Sequence, residues 1–143
     1  MERVLGYLQL TRSWTRVIDD SSFERVITYI DASFATHVDG KGQSACLVML
    51  GNTQVHESCR KQQIITRNLT EAELVALSDN IIEIESVKEF VMSLGLLMDD
   101  DFVLILHLVY QDNQSMIALV KTNISSEPRS KYFKVRHEYV KSI

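Results

Sequence analysis

The chain has 143 residues, of which 45% are hydrophobic, and it carries a formal net charge of −4. This length supports one hydrophobic core and is too short to favour two. No apolar run approaches the roughly eighteen residues of a membrane span, and the N-terminus lacks the uninterrupted apolar segment of a signal peptide. The sequence therefore argues against a membrane or secreted protein and predicts an intracellular one, cytoplasmic or nuclear.

Charged residues are unevenly distributed along the chain. Residues 68–112 contain ten acidic residues and one basic residue, whereas from Lys121 onward six basic residues accompany two acidic ones. Solvated helix faces would account for such blocks. The functional alternative is an acidic side that collects metal ions beside a basic side that collects phosphates. We expect such a protein to bind nucleic acid weakly, and more weakly as salt is raised.

The first elements predicted are a short helix over residues 1–10, a polar connection to residue 22 and a strand over residues 23–34. The strand is rich in β-branched and aromatic residues that alternate with period two. Asp31 lies within it, where an unpaired carboxylate is costly to bury. Asp31 therefore indicates either a compensating cation or the start of the following turn.

A turn at residues 37–43 precedes two strands, 44–50 and 53–60, which a two-residue turn at Gly51 and Asn52 would pair as a hairpin. Ideal pairing places Cys46 opposite Glu57 and Cys59 opposite Ser44. Diagonal neighbours on one face are roughly 7 Å apart, at the edge of disulfide reach. Both cysteines are therefore predicted to be buried thiols.

One long helix is predicted over residues 70–94, after a polar and basic connection. Thr70 is its predicted N-cap, and the carboxylates of Glu71 and Glu73 oppose the positive end of the helix dipole. Gly95 ends it. A stripe at three- and four-residue steps should lie on a sheet; it comprises Leu74, Leu77, Ile81, Ile84, Val87, Val91 and Leu94.

Residues 102–110 are apolar on both alternating faces, which predicts a central parallel strand covered by helices. His107 is interpreted as a hydrogen-bonded core residue. Asp112 follows the strand directly. A helix over residues 113–122, a loop over 123–129 and a basic helix over 130–140 complete the prediction.

The element order β-β-β-α-β-α-α predicts a mixed sheet, because the third strand, the long helix and the fourth strand form a right-handed crossover. The fourth strand can then lie parallel beside the first. This arrangement would bring Asp31, Glu73 and Asp112 together, and three converging acids repel unless they share metal. Carboxylate oxygens suit Mg²⁺ or Mn²⁺, and two such ions roughly 4 Å apart would support phosphodiester hydrolysis.

Three sequence blocks carry a resemblance to a known family: YIDASF, LTEAELVALS and YQDNQSMIALV, in this order. They resemble the motif blocks of the ribonuclease H domain at the end of reverse transcriptases in copia-type retrotransposons. The opening MERVLGYLQLTRSW resembles the segment joining polymerase to ribonuclease H, and RSKYFKVRHEYV resembles the helix after the third block. The resemblance implies a connection segment over residues 1–22 from an upstream reverse transcriptase, then a ribonuclease H-like α/β domain over 23–143.

By this resemblance, Asp31, Glu73 and Asp112 match the family's catalytic, metal-binding acids. Glu73 is the better match to the second acid, since Glu71 lies about 200° around the helix. The implied activity is endonucleolytic hydrolysis of the RNA strand of RNA/DNA hybrids, recognised through helix shape and 2′-hydroxyls. Residues with either a substrate-contact or a solvated-surface interpretation are Asn113, Gln114, Arg60, Lys61 and Lys131.

The chain departs from the family pattern in several ways. The family has a fifth strand and a last helix bearing a fourth acid, and this sequence is expected to lack both. Lys134 stands where Asp or Asn is common, and residues 41–43 replace a more usual Arg-Ser-Thr-like turn. A missing ligand should weaken one ion site, and a missing strand should expose an edge that invites a partner strand or self-association.

Two alternatives to an active ribonuclease H domain remain. One is a catalytically dead ribonuclease H-like relic that acts as a nucleic-acid-binding or protein-assembly module. The other is an integrase-like or resolvase-like nuclease with the same sheet, against which the TEAEL block argues. Metal titration separates the first from a live enzyme, because a live site should be stabilised by millimolar Mg²⁺ or Mn²⁺.

Overall fold

The computed structural model describes residues 2–15, 17–18, 25–93, 106–121 and 131–142. Predicted features at residues 23–24, 94–105 and 122–130, including the end of the long helix and the start of the fourth strand, lie outside this part. The described elements follow the predicted order. They are α1 (Glu2–Thr11), β1 (Arg25–Ser33), β2 (Gln43–Leu50), β3 (Thr53–Lys61), α2 (Leu69–Ser93), β4 (Leu106–Tyr110), α3 (Gln114–Lys121) and α4 (Lys131–Lys141).

The four strands form one mixed sheet in the order β3-β2-β1-β4. β1 pairs antiparallel with β2, β2 pairs antiparallel with β3, and β4 runs parallel to β1. The fold is therefore α/β, with three antiparallel strands and one parallel strand. The parallel pairing of β4 with β1 agrees with the prediction.

The predicted central position of β4 is wrong for the sheet that the described residues form, because β4 lies at its edge. Its apolar composition predicted burial on both faces. Val109 and Tyr110, which lie on opposite faces of the strand, are instead 43% and 50% exposed. His107 Nε2 lies 3.1 Å from Thr28 Oγ1, which confirms that His107 is hydrogen-bonded. Its side chain is only half-buried, so the prediction that it belongs to the core is confirmed only in part.

A β-bulge between β2 and β3 changes the predicted register. The pairing shifts by one residue between Val48 and Met49, because Val55 has no partner across the ladder. Cys46 consequently lies opposite Ser58, and Cys59 lies opposite Ala45. Cys46 is buried and Cys59 is exposed, both as free thiols. The prediction that both are buried is therefore wrong for Cys59, which the bulge turns to the other face.

The hydrophobic core lies between one face of the sheet and α2. Burial alternates along β1 and β2 with period two, as expected for strands with one covered face. The first half of α2 is buried on nearly all sides, because the sheet covers one side and α3 and α4 contact another. The largest core cluster includes Val26, Ile30, Val48, Leu50, Ala76, Ile81, Ile84 and Met116.

The N-terminus of α2 is capped by Asn68 and not by Thr70. Asn68 Oδ1 accepts a hydrogen bond from the Glu71 backbone N–H at 2.9 Å, and Glu71 Oε2 accepts one from the Arg67 backbone N–H at 2.7 Å. This reciprocal arrangement resembles a capping box. It fixes where α2 begins and turns the Glu71 side chain back toward the preceding connection.

Helices α3 and α4 contact α2 and each other. His137 of α4 is buried, and its Nε2 donates a hydrogen bond to the Leu119 carbonyl of α3 at 2.9 Å. Arg136 forms an ion pair with Asp79 of α2. None of the residues of α1 is buried. Among the described helices, none is both long enough and apolar enough to cross a membrane.

Candidate metal centre

Three acidic side chains from separate elements meet at one end of the sheet. Asp31 belongs to β1, Glu73 to the first turns of α2, and Asp112 to the short segment between β4 and α3. One carboxylate oxygen from each lies within 4.8 Å of one from each of the others. The parallel pairing of β4 with β1 and the crossover through α2 produce this meeting of residues far apart in the chain.

Asp31 is a strand residue, which resolves the alternative that it begins a turn. It pairs with Ala45 of β2, and β1 continues to Ser33. Ile30 and Ala32 on either side are buried in the core, whereas Asp31 is exposed. The period-two alternation of the strand therefore directs this carboxylate away from the core and toward solvent.

Glu73 is the buried member of the cluster, with only 2% of its surface exposed. Burial raises the pKa of its carboxyl above the ordinary value, and the negative charges of Asp31 and Asp112 raise this pKa further. Hydrogen bonds from Gln111 and from the Ala32 backbone act in the opposite direction. A buried carboxylate beside two others is costly when ionised, so this position favours a neutralising cation.

Asp112 is exposed and lies between two well-defined elements. Asn113 Oδ1 accepts a hydrogen bond from the Met116 backbone N–H at 2.9 Å, and the Asn113 carbonyl accepts one from Ile117 N–H at 3.0 Å. Asn113 therefore caps the N-terminus of α3. This cap and the end of β4 fix the backbone on both sides of Asp112.

Gln111 is a site residue that the sequence reasoning missed. Its Nε2 donates a hydrogen bond to Glu73 Oε2 at 2.9 Å, and its Oε1 accepts one from the Asn113 backbone N–H at 3.1 Å. Its position beside Asp112 in YQDNQS was the available signal. The contact with Glu73, 38 residues away in the chain, depends on the tertiary fold.

The predicted substrate-contact residues are scattered. Asn113 and Gln114 follow Asp112 in the chain. Gln114 is the first residue of α3 and is exposed. Arg60 forms an ion pair with Glu83 of α2, and Lys61 Nζ lies 2.8 Å from Asp39 Oδ2. Lys131 begins α4, but its side chain lies outside the described part. Of the five residues, only Asn113 and Gln114 lie close in sequence to one of the three site acids.

A groove of about 890 Å³ runs beside the acids on the face of the sheet opposite α2. Asp31 and Asp112 line one part of it, and Tyr29 and Tyr110 line another. The two tyrosine rings are stacked, with centroids 5.2 Å apart. The two exposed acids therefore open onto a partly apolar groove, whereas Glu73 approaches from the core side.

The donor set fits a hard divalent cation. Each of the three residues offers a carboxylate oxygen, which Mg²⁺ and Mn²⁺ favour over the nitrogen and sulfur ligands of softer metals. Two of the acids are exposed and so leave room for water or substrate oxygens. The cluster could hold a metal ion of this class.

No protein-family model matches the chain, and no curated protein matches it.

Proposed function

We propose that this chain is a ribonuclease H-type domain of a copia-type retrotransposon reverse transcriptase, and that it hydrolyses the RNA strand of RNA/DNA hybrids using divalent metal. The observation that carries the proposal is the meeting of Asp31, Glu73 and Asp112 from β1, α2 and the end of β4. These are the acids of the three motif blocks. The mixed sheet with a parallel β4 beside β1 supports the same assignment.

The three acids have different tasks in this proposal. Asp31 and Asp112 are exposed and can reach a phosphate that enters from solvent, whereas buried Glu73 supplies a carboxylate from the core side. Metal ions bound here would activate a water molecule and stabilise the leaving oxygen. The protein's own contribution is to hold three like charges together before substrate arrives, at a cost that the stability of the fold offsets.

The proposed substrate is a hybrid duplex, recognised by helix shape and 2′-hydroxyls rather than by sequence. Asn113 and Gln114 adjoin Asp112 and are the best-placed candidates for contact with the cleaved strand. Arg60 and Lys61 are already paired with acids, so they would contribute less charge to phosphate binding. Further proposed partners are an upstream reverse transcriptase domain and a second copy of the chain, the latter paired through a sheet edge.

The direct test is hydrolysis of a hybrid with a labelled RNA strand by the wild-type protein and by Asp112→Asn. We expect the variant to lose hydrolysis and to unfold, without metal, at a temperature equal to or slightly above that of wild type, because it removes one of three repelling charges. Glu89→Gln, an exposed position on α2, is the matched control and should cleave normally. Cleavage by Asp112→Asn at the wild-type rate would remove Asp112 from the site.

Metal titration separates an active enzyme from a relic of the fold. A ligand that binds only the folded state stabilises it by about 2.7 kcal/mol at one hundred times its dissociation constant. Millimolar Mg²⁺ or Mn²⁺ should therefore raise the unfolding temperature of wild type and leave that of Asp112→Asn nearly unchanged. An unchanged wild-type unfolding temperature, together with no hydrolysis, would favour the relic.

A further inference from the structure

We propose that Gln111 is a positioning residue that orients the Glu73 carboxylate for metal, acting together with the Ala32 backbone N–H as a two-donor clamp. This inference rests on the proposed function, because it concerns the same three acids. It assigns a role to Gln111, whose amide side chain is not one of the three carboxylate ligands.

The clamp is made from the two chain segments that also supply the exposed acids. Ala32 directly follows Asp31, and its backbone N–H lies close enough to the Glu73 carboxylate to lower the pKa of that carboxyl. Gln111 directly precedes Asp112, and its Nε2 donates to Glu73 Oε2 at 2.9 Å. Each segment therefore presents one carboxylate to the site and one hydrogen-bond donor to Glu73. Any shift of either segment would move an acid and a donor together.

The orientation of the Gln111 amide is determined by its second hydrogen bond. The Asn113 backbone N–H lies 3.1 Å from Gln111 Oε1, and an N–H group can only donate. The amide oxygen must therefore face Asn113, which leaves the amide N–H to face Glu73. Since Asn113 also caps α3, the start of that helix is connected to Glu73 through one side chain.

The clamp leaves Glu73 able to bind metal. An ionised carboxylate has about four lone-pair sites, and the two donors occupy two of them. The remaining sites are available toward Asp31 and Asp112, whose oxygens lie within 4.8 Å. Gln111 would therefore select which part of the carboxylate faces the ions, as hydrogen-bond partners of metal ligands commonly do.

The experiment compares wild type with Gln111→Met, which keeps a similar length but removes the donor. Mn²⁺ affinity is measured by calorimetry without substrate, and hydrolysis is measured across Mn²⁺ and hybrid concentrations. We expect the Mn²⁺ dissociation constant and the Mn²⁺ concentration at half-maximal rate to rise about tenfold or more, as loss of a partner of a metal ligand typically causes. The KM for the hybrid at saturating Mn²⁺ should stay unchanged. Gln9→Met, on exposed α1, is the matched control.

A second variant tests whether the Gln111 side chain faces the three acids. Gln111→Glu keeps the shape but replaces the donor by a fourth carboxylate, so it should be less stable than wild type in EDTA and gain more stability from Mn²⁺. A purely structural role predicts that Gln111→Met lowers the unfolding temperature but leaves Mn²⁺ affinity unchanged, and that result would overturn the inference. If wild type itself neither binds Mn²⁺ nor cleaves, the proposed function fails instead, so the two failures are distinguishable.

Discussion

At the scale of single residues, Glu73 is the carboxyl group of the site that is most costly to ionise. The carboxyl is almost completely buried, and its pKa is raised first by that burial and then by Asp31 and Asp112. The folded state therefore holds the Glu73 proton more tightly than the unfolded chain does. The corresponding stability is fully present below the ordinary pKa of 4.5 and is lost as pH rises through the raised folded pKa.

This direction of the pH dependence predicts how Glu73→Gln changes the unfolding temperature. In EDTA at pH 7 the variant should unfold at a higher temperature than wild type, because it removes an ionised buried carboxylate. The advantage should shrink as pH falls toward 4.5, where wild-type Glu73 is increasingly protonated. Saturating Mg²⁺ should reverse the order, since only wild type keeps all three ligands. Calorimetric unfolding across pH checks this, and a wild type more stable than the variant in EDTA at pH 7 would contradict it.

At the scale of elements, the turn between β1 and β2 is tied to the start of α2 by a buried glutamine. Gln62 Nε2 donates to Ser44 Oγ at 3.0 Å and to the Ala72 carbonyl at 2.9 Å. Its backbone N–H donates to the Gly42 carbonyl at 2.9 Å. Ala72 precedes Glu73, so the position of the buried acid depends partly on this turn.

Gly42 has no room for a side chain. An added Cβ would come within 2.4 Å of the Ser33 carbonyl oxygen and 2.7 Å of Gln62 Oε1. Gly42→Ala should therefore destabilise the protein by about 1–3 kcal/mol, as overpacking typically does, measured by urea unfolding. Gly6→Ala is the matched control. No atom lies within 4 Å of its added Cβ, and alanine should stabilise helix α1 by up to roughly 1 kcal/mol if that helix unfolds with the domain. Equal effects of the two changes would refute the steric argument.

At the scale of the whole molecule, the charge distribution limits how tightly a hybrid can bind. The net charge is −4, and several cations on the described surface already lie beside acids, including Arg60, Lys61 and Arg136. Few cations would therefore be available to displace counterions from a phosphate backbone. Affinity should be modest and should fall only shallowly as salt is raised, because few phosphates are neutralised.

A salt titration on the Asp112→Asn background, where the hybrid stays intact, tests this. The slope of log affinity against log salt should be about −0.9 for each phosphate neutralised. Lys61→Met should reduce that slope by about one if Lys61 contacts a phosphate. Lys88→Met is the control, because Lys88 is likewise paired with an acid, Glu85 at 3.2 Å, but lies within the acidic segment on α2. Identical slopes for the two variants would remove Lys61 from the interface.

Sequence periodicity was sufficient to predict the elements and their order, because burial on one face imposes period two on β1 and β2 and a helical stripe on α2. The meeting of Asp31, Glu73 and Asp112 followed from the crossover rule. Neither periodicity nor the crossover rule predicts the bulge at Val55, the cap at Asn68 or the edge position of β4. Each depends on backbone irregularity or on which neighbours a segment has, and Gln111 was missed because its partner Glu73 is a tertiary neighbour.

The bulge also gives the molecule a natural place for a reporter. Cys59 is exposed on the same face as Asp31, two strands away and so roughly 10 Å across the sheet. Cys46 is buried, and burial raises the pKa of its thiol to about 11, so alkylating reagents should discriminate strongly between the chain's two sulfhydryls. A nitroxide attached at Cys59 would sense paramagnetic Mn²⁺ bound by the acids through dipolar relaxation, without any engineered cysteine.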